Sequence, residues 1–139
     1  MGDIAFMLMT IMDVTESLKL AVWEKAQIEP GLDSKMFRKD ACGAWIVWDK
    51  YGVQDNIYGW EIDHIYPKAE LERRGIGIDK IDHIDNLRPL QHDNNAAKGD
   101  DFPSYTALVT SDGKKNIYKT MNLIVNEQVR LVLKNLFNF

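Results

Sequence analysis

An aspartate, a histidine and an asparagine in the middle of the chain have the side-chain types that metal-assisted hydrolysis uses. Asp63 and His64 are consecutive, and the asparagine comes from a polar run further on that contains Asn94 and Asn95. A histidine titrates near neutral pH, so it can take a proton from water. A hard divalent cation prefers oxygen ligands and keeps several waters, so one carboxylate and one amide oxygen suffice beside a substrate phosphate. These three residues could therefore hydrolyse a phosphodiester if the fold brings them to one point.

Two strands and a helix are predicted to position these residues. Residues 60–65 (WEIDHI) and 85–90 (DNLRPL) predict short strands, and residues 93–98 (DNNAAK) predict a helix that Gly99 ends. Successive side chains on a strand point to opposite faces. Asp63 and His64 can therefore act at one site in separate roles only if the strand ends or bends there. Pro67, three residues after His64, favours such an exit from the strand.

The rest of the chain predicts an α+β fold in one compact domain. We expect a helical segment over residues 1–36, a central core over 37–103, and a strand hairpin with a final helix over 104–139. Within these segments the pattern predicts a helix from Val14 to Gln27 and a last helix that Asn126 caps.

The N-terminal run from Ile4 to Met12 is apolar, but it is too short to span a bilayer. It also lacks the basic residues that begin a signal peptide, and Asp3 stands in their place. We therefore expect a core or oligomer-contact segment, with no membrane anchor. The apolar N-terminal segment or the C-terminal helix could supply the contact of a homodimer.

The composition restricts the kind of protein. A single cysteine among 139 residues excludes an internal disulfide framework and a cysteine-rich zinc site, and it favours a cytoplasmic setting. The net charge of −4 gives no support to nucleic-acid binding by itself. The charge is unevenly distributed, however, because from residue 104 onward five Lys and Arg residues face only two acidic ones.

An ordered set of residues resembles the HNH endonucleases, whose core is the ββα-metal fold. The matching residues are Glu61-Ile62-Asp63-His64-Ile65 with Pro67, Asp85-Asn86-Leu87 with Pro89-Leu90, and Asn94-Asn95 with Lys98-Gly99-Asp100. The resemblance continues upstream through residues 38–46 and 58–60, as in compact bacterial and phage members, and covers about half of the chain. No single piece is specific, but the complete order is.

The resemblance implies a role for each matching residue. His64 would be the general base, and Asp63 and Asn95 would bind the metal. Asn86 would brace the loop between the two strands and so orient the base. Lys98, one helical turn after Asn95, would contact phosphate. Because both ligands offer oxygen, Mg²⁺ or Mn²⁺ is favoured over Zn²⁺. The activity implied is DNA hydrolysis that leaves a 5′ phosphate and a 3′ hydroxyl.

Two departures from the family pattern concern the surroundings of the core. The segment between His64 and Asn86 is longer and more charged than in compact members, which leaves the substrate contacts open. Many relatives also carry histidine where Gln91 stands, and here the nearby imidazole belongs to His92.

Several of these residues also have an ordinary structural interpretation. Asp63-His64 could be a surface pair, Asn95 a helix cap, and His83 and His92 solvated side chains. Three further candidates for phosphate contact, each with acidic residues close in sequence, are Arg73, Arg74 and Arg88.

Two rival functions belong to other classes. One is a nucleic-acid-binding module that keeps the HNH fold but does not cut. The other is a transition-metal site built from His64, His83 and His92.

Overall fold

Three small antiparallel sheets and five α-helices make up the part of the chain that the structure describes, residues 14–139. The structure is a computed structural model. Helices and strands are mixed along the chain, so the fold is α+β as predicted. The apolar segment from Ile4 to Met12 lies outside the described residues. No helix within residues 14–139 has both the length and the apolar character that crossing a membrane requires.

The bounds of the elements follow in chain order. The helices are α1 Glu16–Trp23, α2 Lys68–Arg73, α3 Ile78–Ile81, α4 His92–Lys98 and α5 Glu127–Phe137. The strands are β1 Phe37–Lys39, β2 Trp45–Val47, β3 Trp60–His64, β4 Leu87–Gln91, β5 Ser104–Ser111 and β6 Asn116–Ile124. The strands pair as β1 with β2, β3 with β4, and β5 with β6.

Strands β3 and β4 and helix α4 form one strand–strand–helix unit at the centre of the chain. The antiparallel register places Asp63 opposite Arg88 and His64 opposite Leu87. Strand β3 ends at His64, as Pro67 led us to expect. Helix α4 follows β4 without a loop, because the Gln91 side chain accepts hydrogen bonds from the first backbone amides of the helix. This direct connection fixes the helix relative to both strands.

Two buried polar side chains attach the unit to its surroundings. Asn94 of α4 bonds to the backbone of Leu108 and Val109 in β5. Its amide also donates to Asp40, whose carboxylate in addition accepts the backbone N–H of Gln91. Burial raises the pKa of Asp40, and its hydrogen-bond donors oppose that shift. The C-terminal hairpin therefore packs on α4 through specific bonds as well as apolar contact.

The core consists of two apolar clusters. One joins the α2–α3 region and β4 to β5 and α5, with Leu71, Leu90 and Leu133 fully buried. The other is a tryptophan cluster, in which Trp60 of β3 lies 5.2 Å from Trp23 of α1 between ring centroids. Strand β3 thus packs against the tryptophan cluster through Trp60, and this packing helps to hold the residues that follow Trp60 in place.

Two helices differ from the sequence predictions. Helix α1 is shorter than the predicted span Val14 to Gln27, because Thr15 caps it and Gln27 pairs with Lys39 in an isolated β-bridge. Helix α3 forms between Gly77 and Asp82, where the mixed spacing of the isoleucines predicts no particular structure. The predicted cap of the last helix is confirmed, since the Asn126 side chain accepts the N–H of Val129.

Candidate active site

Asp63 lies buried between two cations, and only 4% of the residue is exposed. Arg88 Nε donates to Asp63 Oδ2 at 3.0 Å, and Lys98 Nζ lies 3.3 Å from Asp63 Oδ1. The Lys98 ammonium also donates to the backbone oxygen of His64 at 3.1 Å. Burial lowers the pKa of Lys98, while the charge of Asp63 opposes that shift. The carboxylate is therefore held in one orientation by a strand neighbour and a helix neighbour.

Asn95 is oriented by a glutamate on the same strand as Asp63. Asn95 Nδ2 donates to Glu61 Oε1 at 2.9 Å, and Gln54 holds the other oxygen of Glu61 at 2.7 Å. Because Nδ2 is used in this way, the amide oxygen of Asn95 points elsewhere. Oδ1 forms no hydrogen bond with any residue from 14 to 139 and remains free as a ligand. Glu61 carried no role in the sequence prediction, although its position two residues before Asp63 on a strand puts it on the same face.

His64 stands at the end of β3 with its ring partly exposed. Its Nε2 lies 2.7 Å from Asp82 Oδ1, and within residues 14–139 its Nδ1 has no hydrogen-bond partner. Asp63 and His64 nevertheless both line one cavity, and β3 ends at His64. The sequence argument had required this condition for the two to share a site.

Asn86 braces the segment that follows β3. It is fully buried, its Oδ1 accepts the N–H of Tyr66, and its Nδ2 donates to the carbonyl oxygens of Tyr66 and Ile81. Its own backbone oxygen accepts the N–H of Ile65 at 2.8 Å. These bonds tie the chain just beyond His64 to the start of β4, which is the position where the predicted bracing role would act.

Replacing Asn86 with alanine should lower the free energy of unfolding by about 1–3 kcal/mol, because it leaves buried backbone groups without partners. Chemical denaturation of the two proteins measures the change. The exposed Asn122 offers a matched control, and Asn122→Ala should change stability by less than about 0.5 kcal/mol. Equal stabilities for wild type and Asn86→Ala would contradict the bracing role.

One cavity of about 270 Å³ collects the candidate residues. Asp63, His64 and Asn95 all line it. Lys68 and Asp100, which the sequence analysis did not single out as site residues, line it too. Lys68 is exposed at the start of α2 and forms no ion pair with any described residue, so its charge is available to an anion. Its place just after the Asp63-His64 strand was the signal that could have identified it.

The four side chains predicted to contact phosphate all form ion pairs within the protein. Lys98 and Arg88 are buried and engage Asp63, so in this structure neither offers its charge to solvent. Arg73 and Arg74 both pair with Glu70 on the exposed helix α2, and they hold the pKa of Glu70 down at about 2. Each of the four side chains therefore has an acidic partner within the protein. A phosphate contact by any of them remains a prediction that requires the side chain to leave its present partner.

The donors at the cavity fit a hard divalent cation. A carboxylate has about four acceptor positions, so Asp63 retains free lone pairs beside its contacts with Arg88 and Lys98. The free Oδ1 of Asn95 and the exposed carboxylate of Asp100 line the same cavity. An all-oxygen set of this kind suits Mg²⁺ or Mn²⁺ better than Zn²⁺.

The three histidines do not come together. His83 Nδ1 accepts the N–H of Asp85, and His92 Nε2 bonds to the carbonyl oxygen of Asn56. Among residues 14–139 no three His, Cys, Asp or Glu side chains are grouped so as to hold a metal ion. The rival site of three imidazoles therefore gains no support.

Comparison with known proteins gives no match for this chain among family models, curated proteins or solved structures.

Proposed function

We propose that the protein is a metal-dependent HNH endonuclease that hydrolyses DNA phosphodiester bonds, with residues 37–103 as its nuclease core. One observation carries the proposal: Asp63, His64 and Asn95 of the strand–strand–helix unit line a single cavity. This is the order and geometry that the resemblance to the ββα-metal fold implies. The lone buried cysteine agrees with a cytoplasmic location, which is part of the same proposal.

His64 acts as the general base through its unpartnered Nδ1, which takes a proton from the attacking water. Asp63 and Asn95 would hold Mg²⁺ or Mn²⁺, which when bound would supply neutralisation of the phosphate charge and help for the departing 3′ oxygen. Asn86 keeps the segment after His64 in place, so that the imidazole faces the cavity. Arg88 and Lys98 fix the Asp63 carboxylate and need not touch the substrate.

The polarity of the cavity favours a phosphate group as the substrate. An exposed cation, Lys68, stands on its rim, while the exposed carboxylate of Asp100 would repel an anion without a metal between them. Metal and phosphate are therefore expected to bind together. This coupling is typical of Mg²⁺, which is commonly shared between a few protein oxygens and substrate phosphates.

Cleavage of supercoiled plasmid tests the proposal. Wild-type protein with Mg²⁺ or Mn²⁺ should convert the plasmid to nicked or linear DNA, and EDTA should abolish the reaction. The products should carry 5′ phosphates, which ligase can rejoin. Clean, folded protein that leaves plasmid, single-stranded and branched DNA uncut with either metal would overturn the proposal.

Lys68 should contribute to DNA binding. Replacing it with glutamine removes one phosphate contact, so the plot of log affinity against log salt concentration should become shallower by about 1. Fluorescence anisotropy at several salt concentrations measures this slope. Lys35 is also exposed and lies outside the cavity, so Lys35→Gln should leave the slope unchanged. Equal slopes for Lys68→Gln and wild type would show that Lys68 does not meet phosphate.

One observation favours a second candidate, a nucleic-acid-binding module with the HNH fold that does not cut. Asp63 is already neutralised by Arg88 and Lys98, as a purely structural aspartate would be. This module would bind DNA with an affinity that is independent of Mg²⁺ and would show no cleavage. The plasmid assay, followed by anisotropy with and without metal, separates the two candidates.

A homodimer would place two such sites on one duplex and allow cutting of both strands. The exposed apolar side chains of α5, Leu131 and Val132, are available for such a contact. Light scattering at the working concentration tests this part of the proposal, and a monomer would contradict it.

A further inference from the structure

Among residues 14–139 the His64 ring has one polar partner, and that partner comes from the long segment between β3 and β4. Asp82 Oδ1 lies 2.7 Å from His64 Nε2. Asp82 follows α3 directly, and its backbone N–H bonds to the carbonyl oxygen of Ile78. The preceding residue, Ile81, is buried in the core, and its carbonyl oxygen accepts a bond from Asn86. The carboxylate is therefore presented from an anchored helix end, although its own side chain is about half exposed.

This contact decides which ring nitrogen carries the proton. A carboxylate only accepts hydrogen bonds, so His64 Nε2 must be the donor in the pair. A neutral imidazole has one N–H, and the other nitrogen then has a free lone pair. In His64 that other atom is Nδ1, which has no hydrogen-bond partner among residues 14–139. His64 lines the cavity together with Asp63 and Asn95.

We infer that Asp82 is a positioning residue, which holds His64 as the Nε2–H tautomer and so makes Nδ1 the atom that receives the proton of water. The catalytic role of Asp82 rests on the proposed nuclease function, whereas its effect on the His64 tautomer does not. The inference gives a role to the segment that distinguishes this chain from compact HNH proteins. That segment supplies helix α3 and, at its end, the carboxylate that faces the base.

The tautomer can be measured without any activity. Long-range ¹H–¹⁵N spectra of the imidazole rings, recorded at a pH high enough to deprotonate them, distinguish Nε2–H from Nδ1–H. The His64 signals are assigned by their absence from the His64→Ala variant. We expect the Nε2–H form for His64 in the wild type and a mixture of both forms in Asp82→Ala. Asp79→Ala removes an equal charge from the same helix and should leave the His64 tautomer unchanged.

Kinetics supply the second measurement. In Asp82→Ala the kcat for DNA cleavage should fall about 10-fold or more. The fall should not exceed the 10²–10⁴-fold that a positioned base contributes in total. The KM for DNA should not change, because Asp82 is not expected to meet the substrate. Asp82→Asn keeps an oxygen that can accept the Nε2–H, so it should retain part of the tautomer preference and part of kcat. It also serves in place of the alanine variant if that protein does not fold.

The outcomes separate this inference from the proposed function. A wild-type His64 in the Nδ1–H form, or a tautomer ratio that Asp82→Ala leaves unchanged, would overturn the inference even if the protein cuts DNA. An Nε2–H tautomer that depends on Asp82 in a protein without nuclease activity would support the positioning and refute the nuclease. A fall in kcat for Asp79→Ala equal to that for Asp82→Ala would show that losing any negative charge in this region lowers the rate. It would contradict a specific role of Asp82.

Discussion

Replacing His64 with alanine should lower the single-turnover rate of DNA cleavage by about 10²- to 10⁴-fold, the contribution of a positioned general base. The fold should survive, because the ring is partly exposed and its only polar contact in the described part of the chain is with Asp82. Quenched-flow or manual sampling of a labelled duplex at saturating enzyme and Mg²⁺ gives the rate, and circular dichroism checks the fold.

His83 provides the matched control for this experiment. It is a partly exposed histidine of the same segment, and it bonds to the backbone of Asp85 outside the cavity. His83→Ala should cut at the wild-type rate. A His64→Ala protein that is folded and retains most of its activity would show that another group takes the proton.

Replacing Asp63 with alanine should destabilise the protein by about 3–5 kcal/mol, because two buried cations lose their counter-ion. Arg88 and Lys98 are both more than nine-tenths buried, and Asp63 pairs with each of them. Urea denaturation measures the free energy of unfolding. Asp100→Ala changes a carboxylate that lines the same cavity but is exposed, and it should alter stability by less than about 0.5 kcal/mol.

A second variant makes the Asp63 prediction stricter. Arg88→Met in the Asp63→Ala background removes one of the two unpaired cations, so it should restore part of the lost stability. Asp63→Ala with wild-type stability would contradict the account of the site as a neutralised cluster. Because Asp63 also supports the fold, loss of activity in Asp63→Ala does not identify it as a metal ligand, and Asn95 is the cleaner probe.

The convergence of Asp63, His64 and Asn95 was predictable because it depends on local patterns. Alternation in residues 60–65, the exit signal of Pro67 and the polar helix before Gly99 each specify an element, and neighbouring elements in sequence tend to pack side by side. The mixed α+β class followed from the same elements. The HNH assignment itself remains a proposal.

The surroundings of the site were not predictable, because they depend on contacts between distant parts of the chain. The sequence analysis predicts exposed, phosphate-contacting roles for Lys98 and Arg88. Their burial depends on tertiary contacts such as the β3–β4 register, which sets Arg88 against Asp63. A long charged side chain gives no local sign of whether it faces solvent or a buried carboxylate. The Asp82 contact with His64 likewise depends on how helix α3 packs, in a stretch where mixed periodicity gave no structure.

The Mn²⁺ dependence of Asn95→Ala tests most directly whether the metal lies where the account places it. Asn95 is partly buried and, among the residues that the structure describes, its side chain bonds only to Glu61, so the variant should lose no more than about 1 kcal/mol of stability. Binding of Mn²⁺ is followed by electron paramagnetic resonance, and cleavage is followed in parallel. His64→Ala should bind Mn²⁺ as the wild type does, which separates the ligand from the base.

We expect Asn95→Ala to require at least about 10-fold more Mn²⁺ than the wild type for half-maximal binding and for half-maximal cleavage, since residues around a metal typically contribute 10- to 100-fold to its affinity. Identical Mn²⁺ curves for wild type and folded Asn95→Ala would contradict the account, because Asp63, His64 and Asn95 would then share a cavity without sharing a metal.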